Sequence, residues 1–396
     1  MAEVILHIGT QKTGTTALQH FWAENREVLR TLGIDYPASE EFLIKPGLNR
    51  NRNGIWINRC EGDPEYEIYM ERLLAHCTGD MRVLLSDEDL YWRIHREPEL
   101  LKRFRDRLAA HGVGLSVVLY LRRQDEYLCS LWAFQIKING TSTLQEWLAK
   151  DAGRRGDYAA LVDRLTELLG EAHVYLRTYE RKRFQGGSIY ADFLSIFGLS
   201  LSDAMRLPAQ EMNASLADAC LEAKRRLNER PGGGIDRENA ETDPVGYRRA
   251  QLLQHALMDA QDQMRAEGVL KHCSFFLPGE REALLARYAE GNAAIARRFF
   301  ARETLFEETA VAASDGEPVS AEELIEIYQR MILVLGTWAA EQTPSDRFEI
   351  GMTSDELIRQ QKETIRALEE QMRLRNLPSL VVRKLRKRRN GKRRKK

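Results

Sequence analysis

His7-Ile8-Gly9-Thr10-Gln11-Lys12-Thr13-Gly14-Thr15-Thr16 is the stretch whose reading decides the fold. Ahead of it, Val4-Ile5-Leu6 is a short apolar run of the kind that forms a buried parallel strand. Behind it, Ala17-Leu18-Gln19-His20-Phe21-Trp22 opens a helical pattern that continues to about Leu32. A strand, a glycine-bearing loop and a helix together wrap backbone N–H groups around an anion, which the helix dipole then faces. Gly9 and Gly14 permit positive φ and close backbone approach. Lys12 adds a point charge, while Thr13, Thr15 and Thr16 bring hydroxyls to the loop and the helix start.

The spacing differs from the loop of nucleotide triphosphatases, in which lysine directly follows the second glycine and Ser or Thr then holds magnesium. Here Lys12 precedes Gly14 by two residues and threonine follows the glycine. The cradle suits an anion near the 5′ end of a nucleotide, without a built-in magnesium ligand, and no metal is expected.

Two later strand ends add chemistry. Arg82-Val83-Leu84-Leu85-Ser86 reads as a strand that runs into Asp87-Glu88-Asp89. A carboxylate beside a phosphate loop can hold magnesium or take a proton from an acceptor. Glu88 is the first choice of base and Asp87 the second; both also suit the first turn of the next helix. Leu115–Leu121 reads as the next strand, followed by Arg122-Arg123-Gln124-Asp125-Glu126-Tyr127-Leu128-Cys129-Ser130. Arg122 at the strand end and Ser130 two helical turns on can converge on one phosphate. Arg123 is a neighbour able to share that role.

Lys12-x-Gly14-Thr15-Thr16 resembles the 5′-phosphosulfate loop of sulfotransferases that use 3′-phosphoadenosine 5′-phosphosulfate (PAPS), and Arg122-x7-Ser130 resembles their 3′-phosphate element. With Tyr120-Leu121-Arg122-Arg123-Gln124, Asp192-Phe193-Leu194 before Phe197-Gly198, and Asn213-Ala214-Ser215-Leu216, the chain is similar to bacterial PAPS-dependent sulfotransferases. No histidine base or late Arg-Lys-Gly loop of the cytosolic small-molecule type is found, so the resemblance is nearer to the carbohydrate-type enzymes with a glutamate base. It implies a P-loop-like α/β fold and PAPS as sulfuryl donor. The implied acceptor is a hydroxyl or amine on a carbohydrate or glycoconjugate. By residue, it implies Gly9, Lys12, Thr13, Gly14, Thr15 and Thr16 at the 5′ end, Arg122 and Ser130 at the 3′-phosphate, and Lys12 and Glu88 in catalysis. A kinase or ATPase using Mg-ATP, and a non-catalytic membrane-associated assembly protein on the same fold, are the alternatives.

The order of patterns over residues 1–200 predicts a parallel sheet covered by helices on both faces. Residues 38–62, rich in Arg and Asn with Trp56 among them, read as a long loop that either lines an acceptor site or lies exposed. Residues 201–341 read as a helical extension that completes the domain and walls the acceptor cleft. Its patterns fall at Ser215–Asn228, Tyr247–Glu267, Gly279–Phe300 and Ser320–Ala340. Residues 342–382 read as a linker and a short amphipathic or coiled-coil helix able to mediate a homo-oligomer. Residues 383–396 form a polybasic tail.

The chain of 396 residues balances 59 Lys and Arg against 59 Asp and Glu. Eleven of those bases lie in Arg383–Lys396, so the body carries −11 and the tail +11. A tail of that kind suits an anionic membrane surface, and no nucleic acid partner is expected. Five scattered cysteines without a CxxC pair fit free thiols in a reducing compartment. Neither a signal peptide nor a membrane span is indicated. The expected location is the cytoplasm, with the inner membrane face as a peripheral site.

Overall fold

The structure is a computed structural model that describes residues 1–42, 51–59, 64–208, 216, 218–230, 233–235, 243–270, 273–307 and 319–341. The linker, the expected C-terminal amphipathic helix and the polybasic tail lie outside the described residues. In chain order the elements are β1 (Glu3–His7), α1 (Thr15–Glu24), α2 (Arg26–Thr31), β2 (Ile34–Asp35), α3 (Ile55–Arg59), α4 (Pro64–His76) and β3 (Arg82–Ser86). Next come α5 (Asp89–Arg96), α6 (Pro98–Ala109), β4 (Gly114–Leu121), α7 (Gln124–Ile138), α8 (Leu144–Ala149), α9 (Tyr158–Leu169), β5 (Val174–Thr178) and α10 (Ile189–Ser195). They are followed by α11 (Asp218–Asn228), α12 (Pro244–Ala266), α13 (Glu280–Ala286), α14 (Ala289–Phe300) and α15 (Ala321–Glu341).

Two compact units divide the chain. The first takes residues 1–131, 148–213 and 280–310; the second takes 132–147, 214–279 and the described residues after 311. The first holds a five-stranded sheet, all parallel, in the order β2-β3-β1-β4-β5. The α/β class expected from the sequence is therefore present. β1 is central because Val4, Ile5 and Leu6 are apolar on both faces of the pleat, and all three are buried. On one face Ile5, Leu84 and Val118 pack with Phe21, Trp22 and Phe193. Rings of that size, fully buried, each contribute about 2–3 kcal/mol.

Departures from the expected elements have local causes. The first helix breaks at Asn25, whose side-chain amide donates to the Phe21 carbonyl (2.7 Å) and to the Arg206 carbonyl (2.8 Å). Ile34–Asp35, which carry no strand period, form a two-residue edge strand on β3. Beyond it, the Asn53 side chain stands in for a neighbouring strand. Its amide donates to the Leu84 carbonyl (3.0 Å) and accepts from the Ser86 N–H (2.9 Å). Asn53, Ile55, Trp56 and Ile57 are buried, so this part of the long loop belongs to the core.

In the second unit the Ser320 capping box forms: the Glu323 N–H donates to Ser320 Oγ (3.1 Å), and Glu323 Oε2 accepts from the Ser320 N–H (2.8 Å). Its core takes Leu253, Leu257 and Met264 of α12 with Leu324, Ile327 and Met331 of α15. Trp132 is buried against Phe275 as a core residue, whereas Phe134 is 37% exposed and is not one.

Among the described residues no disulfide joins Cys77, Cys129, Cys220 or Cys273. Among the same residues no helix is long and apolar enough to cross a membrane.

Candidate functional site

The site grows from the carboxyl end of β1. The strand order reverses around it: the chain leaves β1 toward β2, whereas β4 leads away to β5. Such a switch point opens a crevice between neighbouring strand ends. The loop starts out held on both sides. Thr10 N–H donates to the Tyr120 carbonyl (3.0 Å), Tyr120 N–H to the Gly9 carbonyl (2.7 Å), and Asp87 N–H to the His7 carbonyl (3.1 Å).

From there the backbone bends through left-handed geometry at Lys12 (φ 66°) and Gly14 (φ 76°). A Cβ on Gly14 would stand 2.6 Å from Ile189 Cδ1 and 3.2 Å from Tyr179 Cε2. Gly14 caps α1 without any side-chain bond, so the first-turn N–H groups of the helix face the loop uncapped. Alternation of this kind builds a concave ring of N–H groups suited to an anion. The threonines divide their roles. Thr13 and Thr15 donate inward to the Thr10 carbonyl at 2.6 and 3.3 Å, Thr16 is exposed, and Thr10 Oγ1 is buried without a partner.

Arg122 leaves β4 beside this loop. Its Nη1 donates to the Lys12 carbonyl (3.3 Å), its Nε to Glu126 (3.1 Å), and its guanidinium lies 5.8 Å from the Tyr179 ring centre. Tyr158 fixes the Arg122 backbone by donating to its carbonyl at 2.6 Å. The loop, Arg122 and Tyr179 thus come together. Ser130 is half-buried in α7, and among the described residues no hydrogen bond joins it to Arg122. Arg123 is committed elsewhere, with Asp125 at 2.7 Å, and Asp125 also pairs with Arg281 (2.7 Å).

The acidic strand end forms the opposite wall. A Cβ on Gly9 would lie 3.2 Å from Glu88 Cβ, so Glu88 borders the loop directly. Its Oε2 accepts from Gln19 (3.1 Å), and its side chain is 20% exposed. Glu88 makes no capping bond to α5; Asp87 instead accepts from the Asp89 N–H (3.0 Å).

The centre of this wall is Arg52. It pairs with the fully buried Asp87, lies 2.8 Å from Asp89 and 3.6 Å from Glu88. Burial pushes the Asp87 carboxyl up to about 6 against the pull of Arg52. Below it His7 bonds Ser86 Oγ (2.9 Å), and burial lowers that imidazole to about 3, which keeps it neutral. Among the described residues no group of three or more His, Cys, Asp or Glu is arranged to hold a metal ion.

Sequence reasoning missed Arg52, Gln11, Gln19 and Tyr179. Gln11 bonds Asp89 at 2.7 Å and so links the loop to the acidic wall. Tyr179 alone carried a signal, its place just after the apolar run Val174-Tyr175-Leu176. Asn292 pairs reciprocally with the Gln124 amide at 2.8 and 3.0 Å.

No family model matches the chain. A protein of Archaeoglobus fulgidus described only as uncharacterized is 27% identical over 215 residues, which are 54% of this chain and 50% of that protein. The chain thus spans about half the length of the curated relative it matches. The crystal structure of a sulfotransferase from Alicyclobacillus acidocaldarius aligns with 64% of this chain and 96% of its own, at 18% identity and a TM-score of 0.35.

Proposed function

We propose that the chain is a sulfotransferase that moves a sulfuryl group from PAPS to a hydroxyl or amine of a carbohydrate or glycoconjugate. The reading rests on the meeting of three groups at one strand end: the left-handed Lys12–Gly14 loop, Arg122 bonded to it, and Glu88 packed on Gly9.

The residues present fit such a donor. The loop leaves an uncapped helix start and the buried, unpartnered Thr10 hydroxyl, and its two glycines take positive φ where a Cβ would meet Glu88 and Ile189. The 5′ end would fall to Gly9, Lys12, Thr13, Gly14, Thr15 and Thr16, with Thr13 and Thr15 bracing the loop from inside. Arg122 and Ser130 would hold the 3′-phosphate. PAPS, when bound, supplies an activated sulfuryl group.

The chain's own part is to hold the acceptor and take its proton at Glu88, while Lys12 offsets charge growing near the loop. Among the three acids Glu88 suits the base role best, because Asp87 and Asp89 are held closer to Arg52. The proposal includes a cytoplasmic enzyme whose basic tail meets the inner membrane face.

The test is calorimetric titration of the full chain with adenosine 3′,5′-bisphosphate, AMP and Mg-ATP. The bisphosphate should bind well above AMP, and Arg122→Ala should remove that preference. Preference for Mg-ATP would overturn the proposal in favour of phosphoryl chemistry.

A further inference from the structure

A six-residue turn, Asp151–Gly156, is held in place by side chains from α5, from α7 and from the turn before α14. Tyr288 donates to the Gly153 carbonyl (2.6 Å), Tyr91 to the Arg155 carbonyl, and Gln124 to the Gly156 carbonyl (3.2 Å). Gly156 is pressed so closely that a Cβ there would stand 2.8 Å from Tyr288 Cζ. Three side-chain hydrogen bonds to the carbonyls of residues 153, 155 and 156, the last of them buried, fix a backbone that a plain surface turn has no need to fix.

The turn presents Arg155. Its guanidinium lies 4.3 Å from the Trp92 ring centre and 3.4 Å from Gln11 Oε1, and Gln11 in turn bonds Asp89. Trp92 also stacks on His95 (5.5 Å between ring centres), so the aromatic face serves as a support for the arginine. Among the described residues no carboxylate forms an ion pair with Arg155. Nη1 donates to Gln11, and the guanidinium stacked on the ring turns its remaining edge donors to a planar anion.

Position then decides which anion. Trp92 is four residues after Glu88, on the same face of α5 and one turn along. Gln11 is the residue before Lys12 in the loop. Arg155 therefore lies beside the acidic wall that carries Glu88 and Asp89.

We propose that Arg155 recognises an anionic group on the acceptor, and that the acceptor is a saccharide bearing a carboxylate near the hydroxyl that reacts. The proposal rests on the sulfuryl-transfer reading for its word acceptor. Pre-organisation by Trp92 and the pinned turn lowers the ordering cost of that contact.

The experiment compares binding of an unsulfated hexuronate-containing tetrasaccharide with that of the same compound methyl-esterified at its carboxyls. It is run on the full chain with and without saturating adenosine 3′,5′-bisphosphate. The acid should bind about tenfold or more tighter than the ester, as a charge-assisted bond implies. Arg155→Gln should erase the difference and leave bisphosphate affinity unchanged. Arg155→Lys, which keeps the charge and loses the planar fork, is the second variant and should retain only part of the preference. Equal affinity of acid and ester, no measurable binding of the acid, or an unchanged preference in Arg155→Gln overturns the proposal. A bisphosphate that fails to bind the wild type sinks the donor reading instead, and the ester comparison without nucleotide still decides Arg155.

Discussion

Arg52 and Asp87, 35 residues apart in sequence, form an ion pair with side chains 8% and 0% exposed. Removing one partner of such a pair leaves a buried charge without compensation, at a cost of about 3–5 kcal/mol. Arg52→Met should therefore lower unfolding free energy by about that amount in urea titrations. Arg52→Met with Asp87→Leu should recover most of it. A single variant as stable as wild type would remove the pair from the account of stability.

Glu88 borders the loop and makes no capping bond; its carboxylate accepts from Gln19 and lies 3.6 Å from Arg52, contacts that the isosteric glutamine can largely keep. Glu88→Gln should reduce sulfuryl transfer by about a hundredfold or more, the usual weight of a general base. Bisphosphate affinity and melting temperature should stay close to wild type. Full transfer activity in this variant would move the base elsewhere.

Gly14 has φ 76°, a conformation that costs residues with a Cβ about 1–2 kcal/mol. The nearest obstacle is the tip of the flexible Ile189 side chain, so backbone strain is the larger penalty. Gly14→Ala should melt earlier and lose bisphosphate binding. Retained binding in calorimetry would mean that the loop tolerates another shape.

His76 bridges Asp35 (2.8 Å) and Glu41 (2.8 Å), and these bonds raise its pKa from 6.5, the Asp35 hydrogen bond foremost. With the folded value above the unfolded one, the stabilisation is fully present below about pH 6.5 and fades as pH rises through the folded value. The site is partly exposed, so the gain should stay under about 1 kcal/mol. Urea midpoints of wild type should fall from about pH 6.5 upward, and His76→Gln should flatten that slope. Equal slopes in the two proteins would rule the bridge out as the cause.

Gln124 is fully buried and spends its amide on Asn292 and the Gly156 carbonyl. Asn292→Leu should cost about 1–3 kcal/mol through the bond left unmade. It should also loosen the turn that carries Arg155, which hydrogen exchange at residues 153–156 would detect. Unchanged exchange would separate the amide pair from the turn.

Much of the first unit was legible because parallel strands buried on both faces are continuous apolar runs, as in Val4–Leu6 and Leu115–Leu121. Ile34–Asp35 was not, since two residues have no period and their pairing belongs to the register of β3. The break at Asn25 hides inside an unbroken apolar stripe, and its cause includes a carbonyl 181 residues away. Lys12, Gly14 and Arg122 were legible from spacing because loop geometry is local. Arg52 was not: in sequence it is one charge in a polar run, and only the fold brings Asp87 and Asp89 to it.

The place of β1 between β3 and β4 has a consequence for the order of assembly. The strand that leads into the loop needs residues 82–86 on one side and 114–118 on the other before its hydrogen bonds are made. The turn that presents Arg155 waits longer still, for Tyr288 and for the amide pair that Asn292 completes. The earliest part of the site in sequence thus depends on the latest. A growing chain carries the cradle long before it can bind anything, and sequence separation of this order makes folding slow.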